Sequence, residues 1–143
     1  MDSEPQPITI SAPEAHRLLQ DNPRALLIDV RSTMEYLFVG HPVGAVHIAW
    51  IDEPGWTVNP EFVTEVRKLM LGGIACTEDA DCVPVVLICR SGKRSREAGR
   101  ALLEAGFRAV YNIEDGFEGD LDEHHHRSTL GGWRHHGLPW EQC

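Results

Sequence analysis

The chain has 143 residues, of which 42% are hydrophobic, so it is long enough to form one domain with its own core. Its 22 acidic residues outnumber the 13 lysines and arginines, and a net charge of -9 disfavours binding to a phosphate backbone. We therefore expect a single domain over residues 1–143 that does not bind nucleic acid.

The N-terminal residues 1–7 are acidic and contain two prolines, without a basic segment that leads into an apolar one. No stretch of the chain approaches the roughly 20 apolar residues that a membrane-spanning helix needs. These features predict a soluble protein that is not exported and has no membrane partner, so we expect a cytoplasmic location.

Short apolar segments alternate with helical patterns along the chain, which predicts an α/β fold with a largely parallel sheet. Each of these segments is the length of a buried strand and is bounded by turn-forming or polar residues. The candidate strands are Ile8 to Ile10, Ala25 to Val30, Ala45 to Trp50, Val83 to Ile88 and Ala109 to Ile113.

Two residue pairs have the spacing of a capping box, Ser11 with Glu14 and Ser32 with Glu35, and each predicts a helix that starts at the next residue. The second helix is expected to be short because Gly40 follows it. A third helix is predicted after Asn59-Pro60, a favoured N-cap followed by proline, and two glycines at 72 and 73 should end it.

A loop of six residues, Cys89-Arg90-Ser91-Gly92-Lys93-Arg94, separates the apolar strand Val85 to Ile88 from a predicted helix over Ser95 to Gly106. Such a loop collects unpaired backbone N–H groups and the positive end of the helix dipole. It is therefore expected to bind anions.

Cys89 stands in this loop beside three cations, Arg90, Lys93 and Arg94, which are expected to lower the pKa of its thiol and make it a nucleophile. Gly92 lets the backbone curl around a bound group. The alternative is an inert buried thiol at the end of a strand, and the cations and glycine that follow disfavour it.

The pattern Cys89-x-x-Gly92-x-Arg94-Ser95 after an apolar strand resembles the active loop of single-domain rhodanese-like sulfurtransferases. The resemblance covers residues 8 to about 117 and resumes at 131–139, where it implies a closing helix and turn. Residues 72–82 and 118–130 are expected to be loop insertions. The other matching segments are Ile28 to Arg31, Glu35-Tyr36, Gly40 to Ile48, Gly106-Phe107, Val110 to Asn112 and Gly116-Phe117.

This resemblance implies a rhodanese-like three-layer fold with a central, mostly parallel five-stranded sheet flanked by helices. It also implies a transferase of the thiosulfate sulfurtransferase (rhodanese) type, without a cofactor or a metal. Cys89 would take a sulfane sulfur from a small anionic donor as a persulfide and pass it to cyanide or a thiol, with a sulfur-carrier protein as a possible acceptor. The residues expected to bind the substrate are Arg90, Ser91, Gly92, Lys93, Arg94 and Ser95.

Within this scheme Arg94 is expected to close the loop, its guanidinium bonding to loop carbonyls. Asp29 and Arg31 are expected to be architectural, with Asp29 at the end of a strand and Arg31 paired with Glu35. A direct chemical role for Asp29 and Arg31 is the less favoured alternative.

Two other functions fit the same fold. Phosphatases and arsenate reductases have a Cys-x5-Arg loop that is one residue longer, whereas Ser95 occupies that position here. The second alternative is a persulfide carrier or sulfur-responsive binding module with little turnover of its own, which the loop sequence alone does not separate from an enzyme. The charges of Arg90 and Lys93 favour a small anionic donor.

Several other histidine, cysteine and tryptophan residues are candidates for a functional role. The histidine clusters 124–126 and 135–136 lack the spacing of a metal site, so we interpret them as polar surface. Cys76 and Cys82 lie among acidic residues that should raise thiol pKa, which makes them less reactive than Cys89. Trp133 is expected to pack in the core. Cys143 has no assigned role.

Overall fold

The computed structural model describes residues 5–73 and 83–142. Five parallel strands form the central sheet, in the order β1-β6-β5-β2-β4, and β3 pairs with β7 in a separate antiparallel ribbon. The strands are β1 (Ile8–Ile10), β2 (Leu26–Asp29), β3 (His41–Pro42), β4 (Val46–His47), β5 (Val85–Ile88), β6 (Val110–Ile113) and β7 (Trp140–Glu141).

Helices flank this sheet, and the predicted α/β class with a parallel five-stranded sheet is confirmed. Each of the five predicted strand segments contains one strand of the sheet, although only Val46–His47 of the segment Ala45 to Trp50 is extended. The helices are α1 (Ala12–Asp21), a π-helix (Glu35–Val39), α2 (Phe62–Gly73) and α3 (Lys93–Glu104).

The predicted helix starts are close to the observed ones. At α1 the Ser11 hydroxyl accepts from the Glu14 N–H at 3.2 Å, and the Glu14 carboxylate accepts from the Ser11 N–H at 2.8 Å. Helix α3 begins two residues before the predicted start, at Lys93. Arg94 therefore lies in its first turn, beside the loop that it was predicted to close.

The sheet has a hydrophobic core on each face, because successive residues of a strand point to opposite sides. Val85 and Leu87 of β5 belong to one core, which includes residues of α2 and α3. Val86 belongs to the other core, beside α1 residues and the fully buried Trp133. The predicted core position of Trp133 is therefore confirmed, and a large side chain buried in this way contributes about 1.5–3 kcal/mol to stability.

The carboxyl ends of the five parallel strands meet at one edge of the sheet. Cys89 follows β5 at that edge, between β2 and β6. The segment that begins at Glu114 also lies at this edge. Its N–H groups at Gly116 and Phe117 donate to the carbonyls of Ile113 and Cys89, at the ends of β6 and β5. This arrangement places residues from distant parts of the sequence around Cys89.

The segment from Glu114 to Pro139 contains turns and bends rather than a helix. The closing helix implied for residues 131–139 is therefore wrong. Gly132 and Gly137 have φ angles of 105° and 72°, which an α-helix cannot contain, so the backbone forms hydrogen-bonded turns instead. Residues 118–130 have no helix or strand, and their assignment as an insertion stays a prediction. The other predicted insertion, residues 72–82, starts inside α2, and its residues 74–82 lie outside the described residues.

Among residues 5–73 and 83–142, the helices are too short or too polar to cross a membrane.

Candidate active site

The side chain of Cys89 is enclosed by the loop that follows β5, and the residue is only 1% exposed. The Gly92 N–H donates a hydrogen bond to Cys89 Sγ over 3.1 Å, and Ser95 Oγ lies 3.3 Å from the same sulfur. The first turn of α3 adds the positive end of the helix dipole. The loop is thus built to stabilise negative charge on or beside this sulfur.

Gly92 is required at the bend of the loop, as the sequence predicted. Its φ angle is +105°, and a Cβ atom placed on it would lie 2.3 Å from the Glu114 carbonyl oxygen. A side chain at this position would therefore be both strained and overlapping. The curl that brings the Gly92 N–H to Cys89 depends on a residue without a side chain.

The backbone of the loop is held by residues 116–119, which we call the clamp segment. The Phe117 N–H donates to the Cys89 carbonyl over 2.8 Å, and the N–H groups of Glu118 and Gly119 donate to the Arg90 carbonyl over 3.0 and 3.1 Å. A Cβ atom on Gly116 would lie 2.5 Å from the carbonyl oxygens of both loop residues. The clamp segment thus fixes the carbonyl side of the loop, leaving its N–H groups for the sulfur.

Arg94 is paired with Glu35 of the π-helix, and this corrects two predictions. Its Nη1 and Nη2 atoms lie 2.8 and 3.0 Å from the two carboxylate oxygens, so its described hydrogen bonds go to a carboxylate and not to loop carbonyls. Glu35 consequently does not pair with Arg31. The ion pair joins the first turn of α3 to the element after β2.

The charges of this pair are maintained at neutral pH. Burial works to raise the pKa of Glu35, but the hydrogen bonds and charge of Arg94, together with Ser32, outweigh it and lower that pKa to about 2. The hydrogen bonds to Glu35 raise the pKa of Arg94 against the effect of burial, and attraction to Cys89 adds to the rise. The guanidinium therefore acts on Glu35 and on the sulfur at once.

Arg31 forms a fully buried ion pair with Asp29, 2.6 Å from Nη2 to the carboxylate. The same nitrogen donates to the Gly40 carbonyl over 2.5 Å, and the guanidinium lies 4.5 Å from the centre of the Phe117 ring. The prediction that Arg31 pairs with Glu35 is wrong, because the Arg31 guanidinium pairs with Asp29 and packs against the face of the Phe117 ring. These contacts agree with an architectural role, since they join β2 to the clamp segment.

The sequence reasoning missed one residue beside Cys89. Asn112 of β6 is fully buried, and its Nδ2 donates to the Gly92 carbonyl over 3.2 Å, while its Oδ1 accepts from Ser95 Oγ. The available signal was a polar residue inside an apolar strand. A buried amide must find partners, and here they belong to the active loop.

The remaining predicted site residues lie at or near the surface. Arg90 and Lys93 are exposed, and Ser91 is partly buried.

The side chains of His124, His125 and His126 are exposed, and the described residues include no cluster of three or more metal-ligating side chains. Cys76, Cys82 and Cys143 lie outside the described residues.

Comparison with known proteins identifies the family. Residues 11–123 match the model of the rhodanese-like domain. The crystal structure of Rv0390 from M. tuberculosis is 39% identical, with 94% of this chain and 97% of that one covered and a TM-score of 0.78. A polysulfide-sulfur transferase homodimer from Wolinella succinogenes is 26% identical, with 96% and 80% covered and a TM-score of 0.56. An uncharacterised protein of Rickettsia conorii is 29% identical in an alignment of 135 residues that covers 92% of this chain and 95% of the relative. The chain therefore belongs to the family of rhodanese-like domains.

Proposed function

We propose that this protein is a sulfurtransferase that moves a sulfane sulfur from an anionic donor such as thiosulfate to cyanide or a thiol through a persulfide on Cys89. The observation that carries the proposal is the Gly92 N–H, which donates a hydrogen bond to Cys89 Sγ over 3.1 Å. It lies at the N-terminus of α3, where a thiolate and the persulfide anion formed from it are both stabilised.

In the first half-reaction the Cys89 thiolate attacks the outer sulfur of thiosulfate. A new S–S bond forms to Cys89, the S–S bond of thiosulfate breaks, and sulfite leaves with the electron pair. The product carries its negative charge on the outer sulfur, one bond farther from Cys89. The backbone N–H groups in the first turn of α3 are available to bind that charge, because they have no partner within the helix.

In the second half-reaction the acceptor attacks the outer sulfur, and the electron pair of the breaking S–S bond returns to Cys89. Cyanide gives thiocyanate, and a thiolate gives a new persulfide. A thiol acceptor can belong to a small molecule or to a sulfur-carrier protein. Because Cys89 is only 1% exposed, the acceptor must reach the outer sulfur rather than the cysteine itself.

The donor is proposed to be a small anion because of the charges at the loop. Arg90 and Lys93 are exposed, so they can attract a dianion over long distances. Arg94 is neutralised by Glu35 and is therefore less available to bind a phosphoryl group directly. This pairing, together with four residues between Cys89 and Arg94, favours sulfur over the chemistry of a phosphatase or an arsenate reductase.

The test is a comparison of substrates with the reduced protein. With thiosulfate and excess cyanide, we expect thiocyanate to exceed the amount of protein many times, and with a phosphate ester we expect no phosphate above the Cys89→Ser control. Thiocyanate limited to one equivalent per chain would identify a persulfide carrier that needs a protein partner. Release of phosphate that depends on Cys89 would overturn the proposal.

A further inference from the structure

Asn112 hydrogen-bonds to residues at the active loop through both polar atoms of its side-chain amide. Its Nδ2 donates to the Gly92 carbonyl over 3.2 Å, and its Oδ1 accepts from Ser95 Oγ. The orientation of the amide is fixed chemically, because a carbonyl only accepts hydrogen bonds and must therefore face the NH2 group. The carbonyl oxygen of Asn112 is left to face the hydroxyl of Ser95.

The Ser95 hydroxyl has one hydrogen and three acceptors within reach. Cys89 Sγ and the Gly92 carbonyl oxygen each lie 3.3 Å away, whereas Asn112 Oδ1 is closer than either. A hydroxyl hydrogen bonds well to only one acceptor at a time. If it pointed elsewhere, the lone pairs of Ser95 Oγ and Asn112 Oδ1 would face each other at close range, so the hydrogen lies between these two oxygens. Ser95 then presents a lone pair to Cys89, and the Gly92 N–H supplies the hydrogen bond to the sulfur.

We propose that Asn112 is a positioning residue that acts through Ser95: by taking the hydroxyl hydrogen it withholds a hydrogen-bond donor from the Cys89 thiolate. A bare thiolate loses stabilisation when a donor is withheld, whereas the inner sulfur of a persulfide is uncharged and needs none. Asn112 therefore shifts the balance at Cys89 from the bare thiolate toward the persulfide. This consequence rests on the proposed function, but the hydrogen-bond arrangement itself does not.

Charged groups on several neighbouring elements also act on Cys89 and must stay constant in any test. Arg94 of α3 attracts the sulfur, and Glu35 of the π-helix partly offsets it. Asp29 and Arg31 form the buried pair after β2, on the strand next to β5. The loop adds the charges of its exposed residues, Arg90 and Lys93.

The experiment is a cycle of four proteins: the parent chain, Asn112→Leu, Ser95→Ala and the double variant. Leucine has a branched shape similar to that of asparagine but no polar side-chain atoms, and the charged groups are identical in all four proteins. The pH midpoint of Cys89 alkylation by iodoacetamide is measured on the peptide that contains Cys89. Asn112→Leu should lower this midpoint by about one pH unit, a roughly tenfold gain in thiolate below it, because Ser95 then donates to the sulfur.

Ser95→Ala should leave the midpoint near that of the parent chain, and the double variant should match Ser95→Ala. A shift of the midpoint by Asn112→Leu that persists in the Ser95→Ala background, or no downward shift at all, would overturn the proposal. If Asn112→Leu does not fold, Asn112→Ala completes the same cycle because it also deletes the acceptor.

A second readout is the fraction of Cys89 loaded at a fixed ratio of thiosulfate to sulfite. Asn112→Leu should lower this fraction several-fold, and an unchanged or higher fraction would contradict the proposed bias toward the persulfide. If no protein of the cycle loads sulfur, the proposed function fails, while the alkylation midpoints still test the role of Asn112. The two failures are therefore distinguishable.

Discussion

The active loop and the clamp segment face each other but use their residues differently. The active loop, residues 89–94, contains Cys89 and the Gly92 N–H that donates to its sulfur, and Ser95 Oγ lies beside the sulfur directly after the loop. The clamp segment, residues 116–119, acts mainly through backbone N–H groups that bind the loop carbonyls. The proposed chemistry therefore lies within seven consecutive residues, while the shape of the loop depends on residues more than twenty positions away.

The largest effect is expected from a methyl group placed between the two regions. Gly116→Ala puts a Cβ atom 2.5 Å from the carbonyl oxygens of Cys89 and Arg90, at a φ angle of +63°. We expect the free energy of unfolding to fall by about 2–5 kcal/mol, since strain and overlap add. Sulfur transfer should also fall at least tenfold.

The matched control for this change is Gly137→Ala. Gly137 has a similar φ angle, +72°, but open space around its missing Cβ atom. Only the strain remains there, so the loss should be about 1–2 kcal/mol with transfer activity retained. Chemical denaturation of both variants measures the difference, and equal losses of stability and activity would show that the clamp segment has no special contact with the loop.

The next effect concerns the side-chain link between the loop and the π-helix. Arg94→Ala removes the partner of Glu35 and a cation that interacts with Cys89, whereas Lys93→Ala removes an exposed charge. We expect kcat/KM for thiosulfate to fall about 10–100-fold in the first variant, since losing one partner of a partly buried pair leaves the other uncompensated. The second variant should lose only a few-fold, and equal losses would contradict the assigned roles.

The ion pair between Arg94 and Glu35 also makes the free energy of unfolding depend on pH. The pKa of Glu35 is about 2 in the folded chain against 4.5 as its ordinary value, so the unfolded chain takes up the proton first as the pH falls. The stabilisation is complete above pH 4.5 and is lost as the pH falls toward 2. Glu35→Gln should therefore be less stable than the parent chain at pH 7, with the difference shrinking in acid. Denaturation curves from pH 7 to pH 2 measure this, and a constant difference would refute it.

The smallest effect is expected at the mouth of the loop. Lys93→Ala should raise KM for thiosulfate at low ionic strength and have little effect at high salt, because an exposed charge acts over distance and is screened. The measurement is KM for both proteins across a salt series. Parallel salt dependences would rule out electrostatic attraction by this lysine.

The parts of the site that were predictable from the sequence are those with a local cause. Cys89 and Gly92 could be assigned because strand, loop and helix are consecutive, and the cations beside them are visible in the sequence. The partner of Arg94 was not predictable, since Glu35 lies 59 residues away and only the parallel pairing of β2 with β5 brings it near.

The parallel sheet was also predictable from local sequence patterns. The predictions that were wrong or missing have physical causes as well. The alternation of apolar segments with helical ones was enough for the parallel sheet. The turns at 131–139 depend on backbone angles of Gly132 and Gly137 that a sequence pattern does not specify. Asn112 was missed because a single polar residue in a strand does not reveal which neighbour satisfies it.

The role proposed for Cys89 is to hold the transferred sulfur. It is measured most directly by the mass of the reduced protein after exposure to thiosulfate, followed by peptide mapping. We predict a gain of one sulfur atom per chain on the peptide that contains Cys89, with Cys76, Cys82 and Cys143 unmodified in the same spectrum. The gain should disappear on treatment with cyanide and be absent from Cys89→Ser protein. Sulfur that still loads onto Cys89→Ser protein, or a parent chain that gains none, would show that Cys89 does not hold the transferred sulfur.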